Sequence, residues 1–417
     1  MNNRVSTNMP VTDMQHHLRK QEKNLSNIQG RIGEQTRLHR LRDDPISASH
    51  AVRYDSYLAR LNRFELNTKK AMEHFDNTHD NLYSTVEVLQ RIRELAVNAA
   101  NGTNSPDELK IMAVEVNELL KHLVDVSNSL GPDTKMAFAG DKLFTQPFRL
   151  VEGTVEGGPE TLVTRVEYRG SGASRKAEIG DNMFIDLDIG GDEAFWAERM
   201  HIVSSVDATD YRVQESGAFF IDGVEINVAA GDTLPAIVAK INDSPAPVKA
   251  YIDIDTRGLV LEGTNAHLIR AEDKVGGAAV LRDLGIISGN LQNNAPNWDV
   301  NARVSGGNVF DMVIRLRDGM LRGDQDFIGS QGIVGIDLSL NNIEYRLADI
   351  GSRKERAEFA WQRINNQIPN VTRMLDREAG LDLTTTATDL KMAQTAHQAI
   401  LATAAKLLPP SLLNFLR

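Results

Sequence analysis

The chain has 417 residues, 41% of them hydrophobic, and a formal charge of -11, which is enough apolar material for two or three domains with cores of their own. That acidic balance argues against a protein whose main task is coating nucleic acid, because duplex binding is dominated by phosphate neutralisation. No cysteine occurs, which excludes disulfides, thiolate metal sites and cysteine nucleophiles.

Met1 to Asp13 is polar, with neither an apolar core nor a small-residue cleavage site, so no Sec-type signal is expected and export would use another route. No run approaches the roughly 18 apolar residues of a transmembrane helix. From about Thr12 to Leu41 the spacing predicts an amphipathic helix with Met14, Leu18, Leu25, Ile28 and Ile32 on one face. Its stripe is narrow and its other face charged, so it needs a partner to stay folded. Arg31, Arg37, Arg40 and Arg42 form a basic stretch with Leu38, His39 and Leu41, read as a solvated or subunit-contact face in preference to an RNA or membrane footprint.

Asp44-Pro45 predicts a helix start, with the aspartate capping free amides and proline at the first helical position. Leu58, Leu61, Met72, Phe75, Leu82, Val86, Leu89 and Ala96 then alternate at three and four residues, the seam of a coiled-coil-like helix. His79 is expected on that seam as a buried interface histidine. Asn101-Gly102 stops the helix near Ala100. Ser105-Pro106-Asp107-Glu108 reads as a capping box opening a second helix with Leu109, Met112, Val116, Leu119, Leu123, Val126 and Leu130, which Gly131-Pro132 ends. The short loop between these seams predicts an antiparallel helical hairpin.

From about Arg149 the period changes to two, with runs at Thr161 to Tyr168 and Met183 to Ile189. Between Ala218 and Glu262 a small α+β module is predicted. It comprises a hairpin turning at Asp222-Gly223, a helix from Thr233 to Ile241, and strands at Val248 to Ile254 and Leu259 to Leu261. Val309 to Leu321 and Ile343 onward return to helix, the latter with Leu347, Ile350, Ala357, Trp361, Ile364, Ile368, Val371 and Leu375 in its seam. Pro369 interrupts that seam and predicts a kink or break. A last helix, about Thr385 to Leu408, carries Leu390, Ala393, Ile400, Ala404 and Leu407 before Pro409-Pro410.

Chemistry is sparse. The ten histidines are scattered, without the paired helical spacing of zinc hydrolases. Asp186 with Asp188, and Asp253 with Asp255, each place two carboxylates on one strand face; without further oxygen ligands they read as solvated faces rather than a cation site. Nucleophile elbows and phosphate-binding or dinucleotide glycine loops are missing from the sequence. Arg322-Gly323-Asp324 matches an adhesion tripeptide, and Asn101-Gly102-Thr103 a glycosylation sequon whose simpler role is the helix-ending turn.

Val5-Ser6-Thr7-Asn8-Met9, Arg42-Asp43-Asp44-Pro45-Ile46-Ser47-Ala48-Ser49 and Leu95-Ala96-Val97-Asn98-Ala99-Ala100-Asn101-Gly102-Thr103 resemble the flagellin superfamily. So does the end of the chain from Asn342 to Arg417, and the module from Phe220-Ile221-Asp222-Gly223-Val224 to Leu259-Val260-Leu261 is similar to the small repeat of flagellin and hook-protein insertions. Asp43, Asp44 and Pro45, the stretch Ala137-Phe138-Ala139-Gly140 with Phe144 and Pro147-Phe148, and the tail Pro409 to Leu416 resemble the hook-filament junction family more than flagellin itself. Gly33-Glu34-Gln35-Thr36 and Pro369 depart from the family pattern.

The resemblance implies an α+β fold, with long N- and C-terminal helices packed as a coiled-coil-like bundle and a β-rich domain inserted between them. Terminal coils are expected at 1–43 and 384–417, a helical bundle domain at 44–148 and 335–383, and the insertion at 149–334 with its small repeat near 218–262. It further implies a non-enzymatic junction protein of the bacterial flagellum without a cofactor, exported by the type III route and assembled as a ring. Its implied partners are its own copies, an adjacent hook-associated protein, flagellin and a chaperone near the C-terminus, with no nucleic acid and no membrane. Leu18, Leu25, Ile28, Ile32, Leu390, Ala393, Ile400, Ala404 and Leu407 are the expected packing positions, and Asp43, Asp44, Pro45, Asn101 and Gly102 the motif positions. The alternatives are flagellin, a filament polymer, and a surface enzyme or adhesin acting through the β-insertion.

Overall fold

The computed structural model describes residues 9–38, 44–131, 134–155, 157–158, 161–289 and 297–407, with backbone alone at 9–11 and 404–407. Its first helix, α1 (Met9–Glu34), ends where Gln35 takes a left-handed φ of 54°. The second, α2 (Pro45–Ala99), begins where Asp44 Oδ1 accepts from the Ser47 amide at 3.2 Å. Along α2 the buried positions include Leu61, Phe64, Thr68, Ala71, Phe75, Thr78, Leu82, Thr85, Leu89, Ile92, Ala96 and Ala99, an unbroken alternation of three and four.

The apolar pattern alone did not reveal the threonines in this seam. Thr78 and Thr85 donate to the carbonyls of His74 and Asn81, both at 2.9 Å, so their hydroxyls are satisfied inside their own helix. The same register corrects the expectation for His79. It falls one position past Thr78 and is exposed, 3.7 Å from Asp80.

Helix α3 (Pro106–Ser127) opens on the expected capping box: Ser105 N donates to Glu108 Oε2 at 2.7 Å and Glu108 N to Ser105 Oγ at 3.4 Å. The β-rich stretch follows, with β1 (Phe148–Gly153), β2 (Leu162–Tyr168), β3 (Lys176–Gly180), β4 (Met183–Asp186), α4 (Gly191–Ala194) and β5 (His201–Val203). It continues through β6 (Gly217–Ile221), β7 (Val224–Val228), α5 (Leu234–Asp243), β8 (Val248–Ile252), β9 (Leu259–Gly263), β10 (Ala271–Asp273), α6 (Val280–Asp283) and β11 (Arg303–Ser305). Helices α7 (Val309–Arg322) and α8 (Gln325–Phe327), a wider π turn at Ile328–Gly332, α9 (Ile333–Ala379) and α10 (Leu383–Leu407) complete the chain.

The fold is α+β, with long helices toward both ends of the chain and a β-rich middle. Two sheets divide the predicted module between them. Its β6–β7 hairpin joins β10 in the order β10-β6-β7, whereas β8 and β9 join β5 and β11 in the order β11-β5-β9-β8. The turn is as expected, with φ of 50° at Asp222 and 79° at Gly223. The strand predicted to Ile189 ends at Asp186, because Leu187 and Asp188 turn toward Arg175.

The chain divides into two compact units, Met1–Leu66 with Trp361–Arg417, and Asn67–Ala360. In the first, Leu61, Phe64, Ile364 and Val371 form a small core flanked by Tyr54, Tyr57, Leu58 and Ile368. In the second, one apolar core runs from the helices into the sheets. Its centre is aromatic: Phe148 lies 4.9 Å from Phe310 and 5.1 Å from Phe195, which is 5.1 Å from Phe138. Beside Phe138, Gly140 has a φ of 65° and a Cβ there would meet Ser171 O at 2.2 Å. This close approach requires glycine at that step of the Ala137-to-Gly140 motif.

Helix α9 does not break at Pro369. The proline sits on an exposed face, where the backbone group it frees can be hydrated. Ile364 and Val371, on either side, are buried against Leu61 and Phe64. A proline inside a helix costs about 3 kcal/mol, whereas the two burials contribute roughly 1.5–3 kcal/mol each, so packing carries the helix through.

Candidate functional site: a packing stripe on the terminal helices

Within the first unit α1 packs against α10. The half-buried residues of α1 include Met14, Leu18, Gln21, Leu25, Ile28 and Ile32, a heptad stripe in which the apolar reading of the sequence had omitted Gln21. That glutamine donates to Ala393 O at 3.1 Å and ties the two helices together. On α10 the matching positions are Thr386 and Ala393, both buried, with Leu390, His397 and Ile400 half-buried. Backbone closure is supplied by Arg37 N to Ala379 O at 2.8 Å and by Arg37 Nη2 to Glu378 O at 2.9 Å.

The stripe is incompletely covered in a single chain. Leu18, Leu25, Ile28, Ile32, Leu390 and Ile400 all stay partly open, and His397 Nδ1 is buried without a hydrogen-bond partner. A groove of about 750 Å³ runs between the helices beside Met14, Gln21, Asn24, Ile400 and Thr403. Its α1 wall carries His17, Lys20 and Lys23. Ala404 and Leu407 lie at the end of α10, where only backbone is described, and Asp43 lies outside the described residues.

The other motif positions cap helices. Hydrogen bonds from Ser47, assisted by Arg37, hold the Asp44 carboxyl below its ordinary value, so it is a charged cap beside Pro45. Asn101 and Gly102 are exposed in the turn after α2, where Asn101 O accepts from Gln325 Nε2 at 3.4 Å.

The carboxylate pairs separate in space and in task. Asp188 is buried, accepting from Arg175 Nη2 at 2.7 Å with His74 Nε2 at 3.1 Å, while Asp186 is exposed near Lys176. Burial opposes the Asp188 charge, but the bonds from Arg175 and His74 outweigh it and hold the carboxyl far below the usual range. Asp253 caps a turn through Thr256, and Asp255 is exposed. Among the described residues no three His, Asp or Glu side chains converge as a metal site, and no helix is long and apolar enough to cross a membrane. Arg322-Gly323-Asp324 is exposed, yet each member has a local role. Arg322 lies 6.0 Å over the Phe327 ring, Gly323 ends α7 with a φ of 71°, and Asp324 Oδ1 accepts from the Phe327 amide at 3.0 Å.

Two family models match segments of the chain. The bacterial flagellin N-terminal helical region covers residues 5–146, and the flagellin hook IN motif covers residues 214–265. Within those bounds the chain carries a flagellin-type N-terminal helical region and a flagellin hook IN motif. It is 27% identical over 230 residues to flagellar hook-associated protein 3 of Escherichia coli, covering 55% of this chain and 66% of that protein, just under two thirds of its length. It is 23% identical over 419 residues to polar flagellin C of Vibrio parahaemolyticus, covering 99% of each. Among solved structures, flagellar hook-associated protein 3 of Legionella pneumophila aligns with a TM-score of 0.46 at 17% identity, over 78% of this chain and 97% of that one.

Proposed function

We propose that this protein is a structural component of the bacterial flagellum, located outside the cell at the junction of hook and filament. It is exported by the type III route and assembles as a ring with further copies, an adjacent hook-associated protein and flagellin as neighbours. A chaperone binds near the C-terminus before export. The observation that carries this reading is the heptad stripe of α1 and α10, half-open in one chain and holding an unpartnered His397 Nδ1. A narrow apolar stripe cannot by itself offset the entropy of ordering its helix, so neighbouring helices complete it. The relative named hook-associated protein 3 supports the junction position. The packing positions act by burial, and the proposed function needs no catalytic residue.

Deleting the gene and imaging the cells tests this directly. Hooks without filaments, with flagellin released to the medium, is the expected result, and normal filaments would reject it. The end-to-end match to polar flagellin C favours a second reading, a filament subunit. Purified flagellin polymerises into long fibres on seeds, whereas a junction protein caps hooks in few copies. Within the junction reading, Ile400→Asp sets an unpaired charge in the stripe and should abolish incorporation in a complementation assay; motile filaments built with that variant would show that Ile400 is not a packing position.

A further inference from the structure

Where the β6–β7 hairpin meets the segment 264–270, a histidine is enclosed by acceptors. His267 is 4% exposed; its Nε2 lies 3.1 Å from Asp222 Oδ2 and its Nδ1 3.0 Å from the carbonyl oxygen of Asn265. A neutral imidazole has one N–H, so it leaves one of these contacts as lone pair against lone pair, whereas imidazolium donates to both. The other Asp222 oxygen accepts from the Arg270 amide at 2.8 Å, and the Asp222 amide donates to Arg270 O at 2.8 Å. Asp222 therefore joins the hairpin turn to the chain immediately before β10, the strand that pairs with β6.

Gly263 of β9 packs beside the ring, and charged groups gather around it from neighbouring helices. From α4 come Asp192, whose Oδ2 is 3.1 Å from Arg270 Nη2, and Glu193, whose Oε2 is 3.2 Å from Arg346 Nη1 on α9. Arg346 Nη2 also donates to Ala266 O at 3.4 Å, and Tyr168 lies under the Arg270 guanidinium at 5.6 Å. At the far end of β10, Asp273 accepts from the Leu281 amide at 2.9 Å and the Arg282 amide at 3.2 Å. The carboxylates of Asp222 and Glu193 both favour the charged ring.

We propose that His267 is a pH-sensitive latch: protonated, it fastens the β6–β7 hairpin to the 265–270 segment, and on losing its proton it frees the β10-β6-β7 sheet to open. Burial alone would disfavour the charged ring, but the hydrogen bond and charge of Asp222 outweigh it and raise His267 above its ordinary 6.5. The folded state thus holds the proton more tightly than the unfolded chain. The stabilisation is complete below about pH 6.5 and is lost as pH rises through the folded value. This inference is independent of the junction reading.

Hydrogen exchange of the full chain at about pH 6 and about pH 8, corrected for intrinsic rates, reads the latch. Protection of the β6, β7 and β10 amides should fall about tenfold for each unit by which His267 titrates above its ordinary value. His267→Gln should exchange at the lower pH as wild type does at the higher, with α3 amides unchanged in both; the remaining histidines cancel in that difference. Should this variant fold poorly, Asp222→Asn combined with NMR titration of the His267 ring supplies the second reading, in which the midpoint drops. A wild-type midpoint at or below 6.5, or equal pH dependence in wild type and His267→Gln, overturns the proposal.

Discussion

Arg317 shows how far one side chain reaches in this fold. Fully buried in α7, its Nη1 donates to Asn117 Oδ1 of α3 at 2.9 Å and to Val163 O of β2 at 2.5 Å, and its Nη2 meets Asp318 at 2.6 Å. It knits a helix and a strand to α7 through a charge that no apolar pattern discloses. Arg317→Ala leaves Val163 O and Asp318 without this donor, while Asn117 Oδ1 keeps only the Val163 amide at 3.3 Å, so a stability loss of about 3–5 kcal/mol is expected in urea denaturation. Asp188 makes a complementary case. Its folded carboxyl is held low, so its contribution is present above the ordinary carboxylate value and is lost as pH falls through the folded one. Asp188→Asn should flatten the acid limb of the stability profile. The sequence marked Asp188 as one of a pair with Asp186, but only the fold shows that its partners are Arg175 and His74.

At the scale of elements, two helix starts and the hairpin turn were legible in the sequence, whereas α1 ends at Glu34 and α3 at Ser127, short of the expected Leu41 and Leu130. Asp44-Pro45, the Ser105–Glu108 box and the Asp222-Gly223 turn all fall where local chemistry places them. Each depends on groups within three or four residues, and distant parts of the chain do not alter them. Pro369 is the informative case, since a local rule predicted a kink or break and α9 continues through it unbroken with Ile364 and Val371 buried on either side. The same reasoning predicts that Pro369→Ala raises stability, by about 1–3 kcal/mol, because the missing hydrogen bond is restored while the packing stays. A thermal midpoint unchanged or lowered by that substitution would show that the proline itself contributes to the helix.

At the scale of the whole molecule, we propose that the outermost helices are the conditional part of the fold. Their stripe is half-open, whereas the α2 seam is buried position after position from Leu61 to Ala99 and the α9 seam is buried at Ile343, Ile350, Ala357, Ile364 and Val371. Limited proteolysis of the verified monomer should therefore trim both ends to a core of about Asp44 to Asp382; ends that resist protease in that monomer would count against it. By itself the sequence determined the seams, the caps, the hairpin turn and the succession of helical ends around a β-rich middle, because periodicity and capping act over a few residues. Tertiary structure decided which polar residues enter those seams, how the small module splits between two sheets, and that His267 is buried while His79 is exposed. The physical reason is that each of these depends on groups distant in the chain, such as Asp222 with His267 and Asn117 with Arg317, whose meeting is set by packing and not by spacing.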